Sequence, residues 1–74
     1  MAHSIDLLAV VALTEDLPEF GLERGQVGTV VEFLAPEVYE VEFSDNTGQA
    51  YAMASIEGSR LMVLKYKPAT VARY

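Results

Sequence analysis

The chain contains no cysteine and no tryptophan, and it has a single histidine. Without cysteine there can be no disulfide staple, thiolate zinc site, iron–sulfur cluster or cysteine nucleophile. The one histidine, His3, falls in the N-terminal stretch where chains commonly fray, so most nucleophilic and metal-dependent schemes lose their usual parts. Bases are scarce as well, five Lys and Arg against eleven Asp and Glu, for a net charge of −6. The longest apolar run, Leu7 to Leu13, falls far short of the ~20 residues needed to span a bilayer. Asp6 precedes it in place of a positively charged region, so neither a membrane span nor a signal peptide is expected, and a cytoplasmic location is the default.

What remains is enough for one small domain. Of 74 residues, 51% are hydrophobic and 22% charged, a balance that argues for a folded chain rather than a disordered one. A chain of this size buries roughly 60% of its unfolded surface, which allows a core but a thin one. Its charge is unevenly placed. Residues 1–59 hold all eleven acids and only Arg24 among the bases, a balance of −10, whereas residues 60–74 hold Arg60, Lys65, Lys67 and Arg73 with no acid. An acidic body repels the phosphate backbone and disfavours nucleic acid as a partner. Two readings of the asymmetry stay open: an acidic surface that attracts a basic partner, or solubility for the body with a basic tail neutralised against it.

Turn formers recur at short intervals (Leu17-Pro18, Gly21, Gly25, Gly28, Ala35-Pro36, Asn46-Thr47-Gly48, Gly58 and Pro68), with apolar runs between them and no long helical period. That spacing predicts a small all-β domain. Leu8 to Leu13 reads as a first strand covered on both faces, being short for a helix. Thr14 to Arg24 reads as a long loop pinned by Leu17, Phe20 and Leu22, with its acids outside. Val27 to Leu34 is the second strand, with Gly25 and Gly28 at its start for a bend or close backbone approach. In Tyr39-Glu40-Val41-Glu42-Phe43 apolar residues alternate with acids, which predicts a third strand with Tyr39, Val41 and Phe43 inward. Ser44 to Gln49 is a turn, with Gly48 available for positive φ. The fourth strand, about Ala50 to Ile56, separates Tyr51, Met53 and Ser55 from Ala50, Ala52, Ala54 and Ile56. Glu57 to Arg60 reads as a tight turn of 3₁₀ type, and Leu61 to Leu64, or as far as Tyr66, as a fifth strand.

Five short strands, a long first loop and a tight last turn predict a five-stranded SH3-like barrel over residues 1–66, followed by a basic, aromatic tail at 67–74. An OB fold has the same strand count, but it needs a helix between the third and fourth strands, and none fits between Phe43 and Ala50. Leu8–Leu13 with Thr14-Glu15-Asp16-Leu17-Pro18, Gly21-Leu22 with Arg24-Gly25, Gly28-Thr29-Val30-Val31-Glu32, and Tyr39–Phe43 with Asp45 and Gly48 together resemble a family of short bacterial proteins of unknown function, expected to be SH3-like barrels. The Gly25-x-x-Gly28-Thr29-Val30 stretch and the strand after it are also similar to SH3-like modules of photosystem accessory and nitrile hydratase subunits. The resemblance implies a binding or assembly module without a catalytic centre. It also implies gene neighbourhoods like those of toxin–antitoxin pairs, in which this chain would neutralise a small toxin. It transfers no functional residue.

Candidate sites follow from charge. Glu15, Asp16, Glu19 and Glu23 line the long loop and would favour a basic protein partner, with Arg60, Lys65 and Lys67 as a second contact. Proline-rich peptides need an aromatic-lined groove that this loop lacks. Glu40 and Glu42 share a solvated strand face, an ordinary place for carboxylates, and no enzymatic activity is expected. Asp45, Asn46 and Glu57 lack the spacing of a calcium loop, so no metal and no cofactor are expected. Tyr39, Phe43, Tyr51 and Phe33 read as core or cross-strand packing. A small-ligand or nucleic-acid barrel would need a basic or apolar concave patch. The fourth strand could also pair at an open edge to give a homodimer.

Overall fold

A computed structural model describes residues 3–65. Lys67, Tyr66 and the expected tail at 67–74 lie outside the described residues. Five antiparallel strands, β1 (Val10–Leu13), β2 (Val27–Ala35), β3 (Val38–Ser44), β4 (Ala50–Glu57) and β5 (Leu61–Val63), form one sheet in the order β4-β3-β2-β1-β5. Two short 3₁₀ turns interrupt them, Pro18–Phe20 in the long loop and Gly58–Arg60 between β4 and β5. The all-β expectation holds, as one sheet, and no helix separates β3 from β4.

The alternation read in β3 sets the two faces. Tyr39, Val41 and Phe43 are fully buried, and their cross-strand partners on β4 are Ile56, Ala54 and Ala52. Val11, Leu13, Val30 and Leu61 continue the same face across the other strands. Among the described residues no second sheet covers it. Its lid is made by two irregular segments, the loop residues Leu17 and Leu22 and the N-terminal Ile5, all buried.

The first strand is shorter than expected. Leu8 takes a positive φ of 69° and, with Leu7, is exposed, because the chain turns there to bring Ile5 onto the core. The expectation of cover on both faces does hold for Val11, Ala12 and Leu13, which are all buried. Two register irregularities in β2, between Val30 and Glu32 and between Phe33 and Ala35, bend that strand along its length. Pro36-Glu37 then closes the β2–β3 turn, with Glu37 at φ 59°. That left-handed conformation strains a residue carrying a Cβ.

The turn between β3 and β4 is closed by one aspartate. Asp45 Oδ1 accepts the Thr47 N–H (2.9 Å), the Thr47 hydroxyl (2.7 Å) and the Gln49 N–H (3.0 Å). Gly48 supplies the positive φ, 84°, that the turn requires. These bonds, led by that from the Thr47 hydroxyl, hold the Asp45 carboxyl below its ordinary value of 3.8.

Gly28 allows β2 to lie close against β3. A Cβ there would stand 2.7 Å from Val41 Cγ1, 2.9 Å from the Glu42 carbonyl oxygen and 3.0 Å from Phe43 Cδ2. One of those neighbours is backbone and the other two are core side chains, so none can move aside freely. Gly28→Ala is therefore expected to destabilise the fold by about 1–3 kcal/mol. Urea unfolding should show a lower midpoint at an unchanged slope, and an unshifted midpoint would refute the close-approach assignment.

Candidate functional site

The long loop between β1 and β2 is a small structured unit. Leu17 and Leu22 pair backbone to backbone (2.9 and 3.1 Å), and Gly21, at φ 69°, turns the chain after Pro18–Phe20. Both leucines point into the core as expected, whereas the third expected pin, Phe20, is 43% exposed. The Asp16 carboxylate accepts the Arg24 N–H at 2.9 Å and so braces the base of the loop. The Gln26 side chain accepts the Glu23 N–H and donates to the Tyr51 hydroxyl at 2.9 Å.

Two of the loop acids expected to meet a partner meet Arg60 of the same chain. Its guanidinium donates to Glu15 Oε2 at 2.6 Å and to Glu19 Oε2 at 3.2 Å, while its carbonyl accepts the Thr14 N–H at 3.0 Å. The Glu15 bond and then the Glu19 bond raise the Arg60 pKa. A bond from its own backbone N–H, and then the one from Arg60, hold Glu19 below its ordinary 4.5. The structure thus brings Glu15, Glu19 and Arg60 into one local cluster in which a single guanidinium offsets part of the charge of two carboxylates. Asp16 and Glu23 stay exposed without an ion pair among the described residues, and Lys65 is exposed beyond β5.

The larger uncompensated acidic surface is the outer face of the sheet. Glu32 on β2 lies directly opposite Glu40 on β3, Glu42 lies two rungs along opposite Thr29 and Met53, and Glu57 on β4 lies opposite Val38. No ion pair reaches any of these four carboxylates among the described residues. Like charges directly across strands oppose sheet formation, so the Glu32–Glu40 pair is not there to stabilise the fold. The alternation of β3 signalled Glu40 and Glu42. Glu32 joins them only through the β2 bulge, which a strand pattern does not display.

A second cluster sits at the β2–β3 turn. Glu37 accepts the Ser4 N–H (2.8 Å), the Ser4 hydroxyl and the Tyr39 hydroxyl (3.1 Å), and the Tyr39 oxygen in turn accepts the Ile5 N–H (3.2 Å). His3 is packed rather than frayed, its ring stacked on Phe33 at 4.0 Å and edge-on to Tyr39 at 5.8 Å. Phe33, expected as core or cross-strand packing, is 38% exposed beside it. Tyr51, placed in the same class, is half exposed and lies 6.4 Å from the Phe43 ring. The nearby hollow, about 220 Å³ and lined by His3, Phe33, Leu34, Ala35 and Pro36, is shallow and open. Among the described residues no three metal-ligating side chains converge, and no helix is long and apolar enough to cross a membrane.

Bonds from the Ser4 hydroxyl and N–H, helped by that from Tyr39, hold Glu37 below its ordinary 4.5 against the opposing effect of burial. Its contribution to stability is complete above the unfolded pKa and is lost as pH falls through the lower folded one. Glu37→Gln should therefore flatten the fall of Tm between about pH 5 and pH 3, with Asp45 and Glu19, both also held low, supplying the acid dependence that persists. Thermal scans of both proteins over that window test this, and identical slopes would remove Glu37 from the acid response.

No curated protein and no solved structure matches the chain. One protein family does, over residues 7–63, from just before β1 to the end of β5. The match takes in the loop cluster, the acidic outer face and the β2–β3 turn, and leaves out His3, Ser4 and Ile5. By that span, which is most of its length, the chain belongs to the family described as a domain of unknown function (DUF4926).

Proposed function

We propose that this chain is a non-enzymatic protein-interaction module that docks a basic partner on the acidic outer face of its sheet. The observation that carries the reading is the uncompensated set Glu32, Glu40, Glu42 and Glu57 on one face, with two of these carboxylates directly opposed across strands. A cationic partner removes that repulsion on binding and is drawn in by the same field. Glu15 and Glu19 take a smaller share, because Arg60 already occupies them, while Asp16 and Glu23 extend the acidic field around the loop. Lys65, and Lys67 outside the described residues, belong to the proposed second contact.

The non-enzymatic reading draws support from placement, since these carboxylates stand on an open sheet face and not around a closed pocket. We also propose that the sheet belongs to an SH3-like barrel. The order β4-β3-β2-β1-β5, the bends in β2 and the 3₁₀ turn that leads from β4 into β5 support that architecture.

The test is a tagged pull-down from the native host's lysate at ~0.05 M and ~0.5 M salt, a range over which exposed charges become strongly screened. It is run with the unmodified chain, with Glu32→Gln/Glu40→Gln/Glu42→Gln, and with Asp16→Asn/Glu23→Gln. A stoichiometric basic protein should be retained at low salt, lost at high salt and lost with the triple variant. Retention by the triple variant but not by the double would move the site to the loop, and no retained protein at either salt would overturn the reading.

A further inference from the structure

The two edges of the sheet are unequal. β5 is three residues long, whereas β4 runs for eight, Ala50–Glu57, and pairs only with β3. Among the described residues no backbone bond outside the β3–β4 ladder reaches positions 51–56. Along such an edge every second residue directs its N–H and C=O away from the sheet, which makes a template for another strand. Protective features are missing from this one. Positions 50–56 carry no charge and no proline, and the register irregularity lies only at the start, near Ala50. Tyr51 and Met53, on the strand itself, are 50% and 53% exposed.

We infer that β4 takes an extended segment of a partner as a sixth strand, and that this segment alternates basic with small or apolar side chains. The inference rests on the proposed basic partner and adds its conformation and register. On the outer face, positions opposite Glu57, Ser55 and Met53 adjoin a surface whose next strand carries Glu40 and Glu42. Strands stand about 4.8 Å apart, so a residue of the added strand lies about 10 Å from the Glu40 and Glu42 backbone. The combined reach of a lysine and a glutamate side chain spans that gap. The residue opposite Glu57 meets its carboxylate directly, as a cross-strand pair of opposite sign. On the inner face the alternate residues lie beside Ala52, Ala54 and Ile56, an apolar neighbourhood that favours small or apolar groups. A second copy of this chain suits the edge less well. Antiparallel β4–β4 pairing would merge two faces that each carry Glu32, Glu40, Glu42 and Glu57.

The probe is an end-capped octapeptide of alternating lysine and valine, titrated into the isotope-labelled chain at ~0.05 M salt. Two further versions are N-methylated, one at every lysine and the other at every valine. Amide resonances of residues 50–57 should shift with the unmodified peptide. One methylated version should bind at least about tenfold more weakly, through its lost ladder bonds, and the other should bind nearly as well. Glu40→Gln/Glu42→Gln should weaken the unmodified peptide several-fold without moving the 50–57 shifts elsewhere. Equal binding by both methylated versions would overturn strand addition and leave the acidic docking face standing. No binding by the unmodified peptide or by polylysine of equal charge would overturn both. A dimer in sedimentation, closed through residues 50–57 without peptide, would overturn the choice of occupant.

Discussion

A single sheet has two faces, and among the described residues no second sheet lies against either. Everything else in the structure follows from how the inner face is sealed. The lid consists of Leu17 and Leu22 from the long loop and Ile5 from the N-terminal segment, and irregular backbone must satisfy its own polar groups when it lies on a core. The loop does so through the Leu17–Leu22 backbone pair. The N-terminal segment does so through the bonds that Ser4 and Ile5 make to Glu37 and Tyr39. Tyr39 anchors the second of these, since its ring is fully buried and its hydroxyl oxygen accepts the Ile5 N–H.

The same constraint explains the strained turn. Glu37 adopts a conformation better suited to glycine, and Gly58 packs against it, where a Cβ would stand in tight contact at 3.0 Å from Glu37 Oε1 and 3.1 Å from Tyr39 Cε2. The three hydrogen bonds that its carboxylate accepts from Ser4 and Tyr39 offset the backbone strain, and no glycine could supply them. The outer face answers to different needs. Nothing on it is required to hold the lid, which leaves Glu32, Glu40 and Glu42 free to carry charge.

Much of the sheet was legible in the order of residues. The alternation from Tyr39 to Phe43 assigned β3 and both of its faces, and the two sets of β4 residues were separated correctly from one another. The glycine signals at Gly28 and Gly48 matched a close approach and a positive φ. The N-terminal segment was not legible, because its anchor, Glu37, lies 33 positions away and nothing local marks His3 or Ile5 as packed. The loop acids were legible as charge but not as partners of Arg60, whose contact with Glu15 spans 45 positions. Local pattern reports which face a side chain takes. It does not report which distant group arrives there.

The connectivity also divides the sheet by distance along the chain. β2, β3 and β4 follow one another through a turn of Pro36-Glu37 and a turn that Asp45 closes on itself, so their ladders form between near neighbours. The β1–β5 ladder is of another kind, joining Leu13 to Leu61 through only three rungs. Loop-closure entropy rises with the length of chain enclosed and must be met before such a contact is rewarded. The entropic burden of completing this sheet therefore falls on a seam of three rungs, where β5, steadied by Arg60 just before it, joins the first strand to the last.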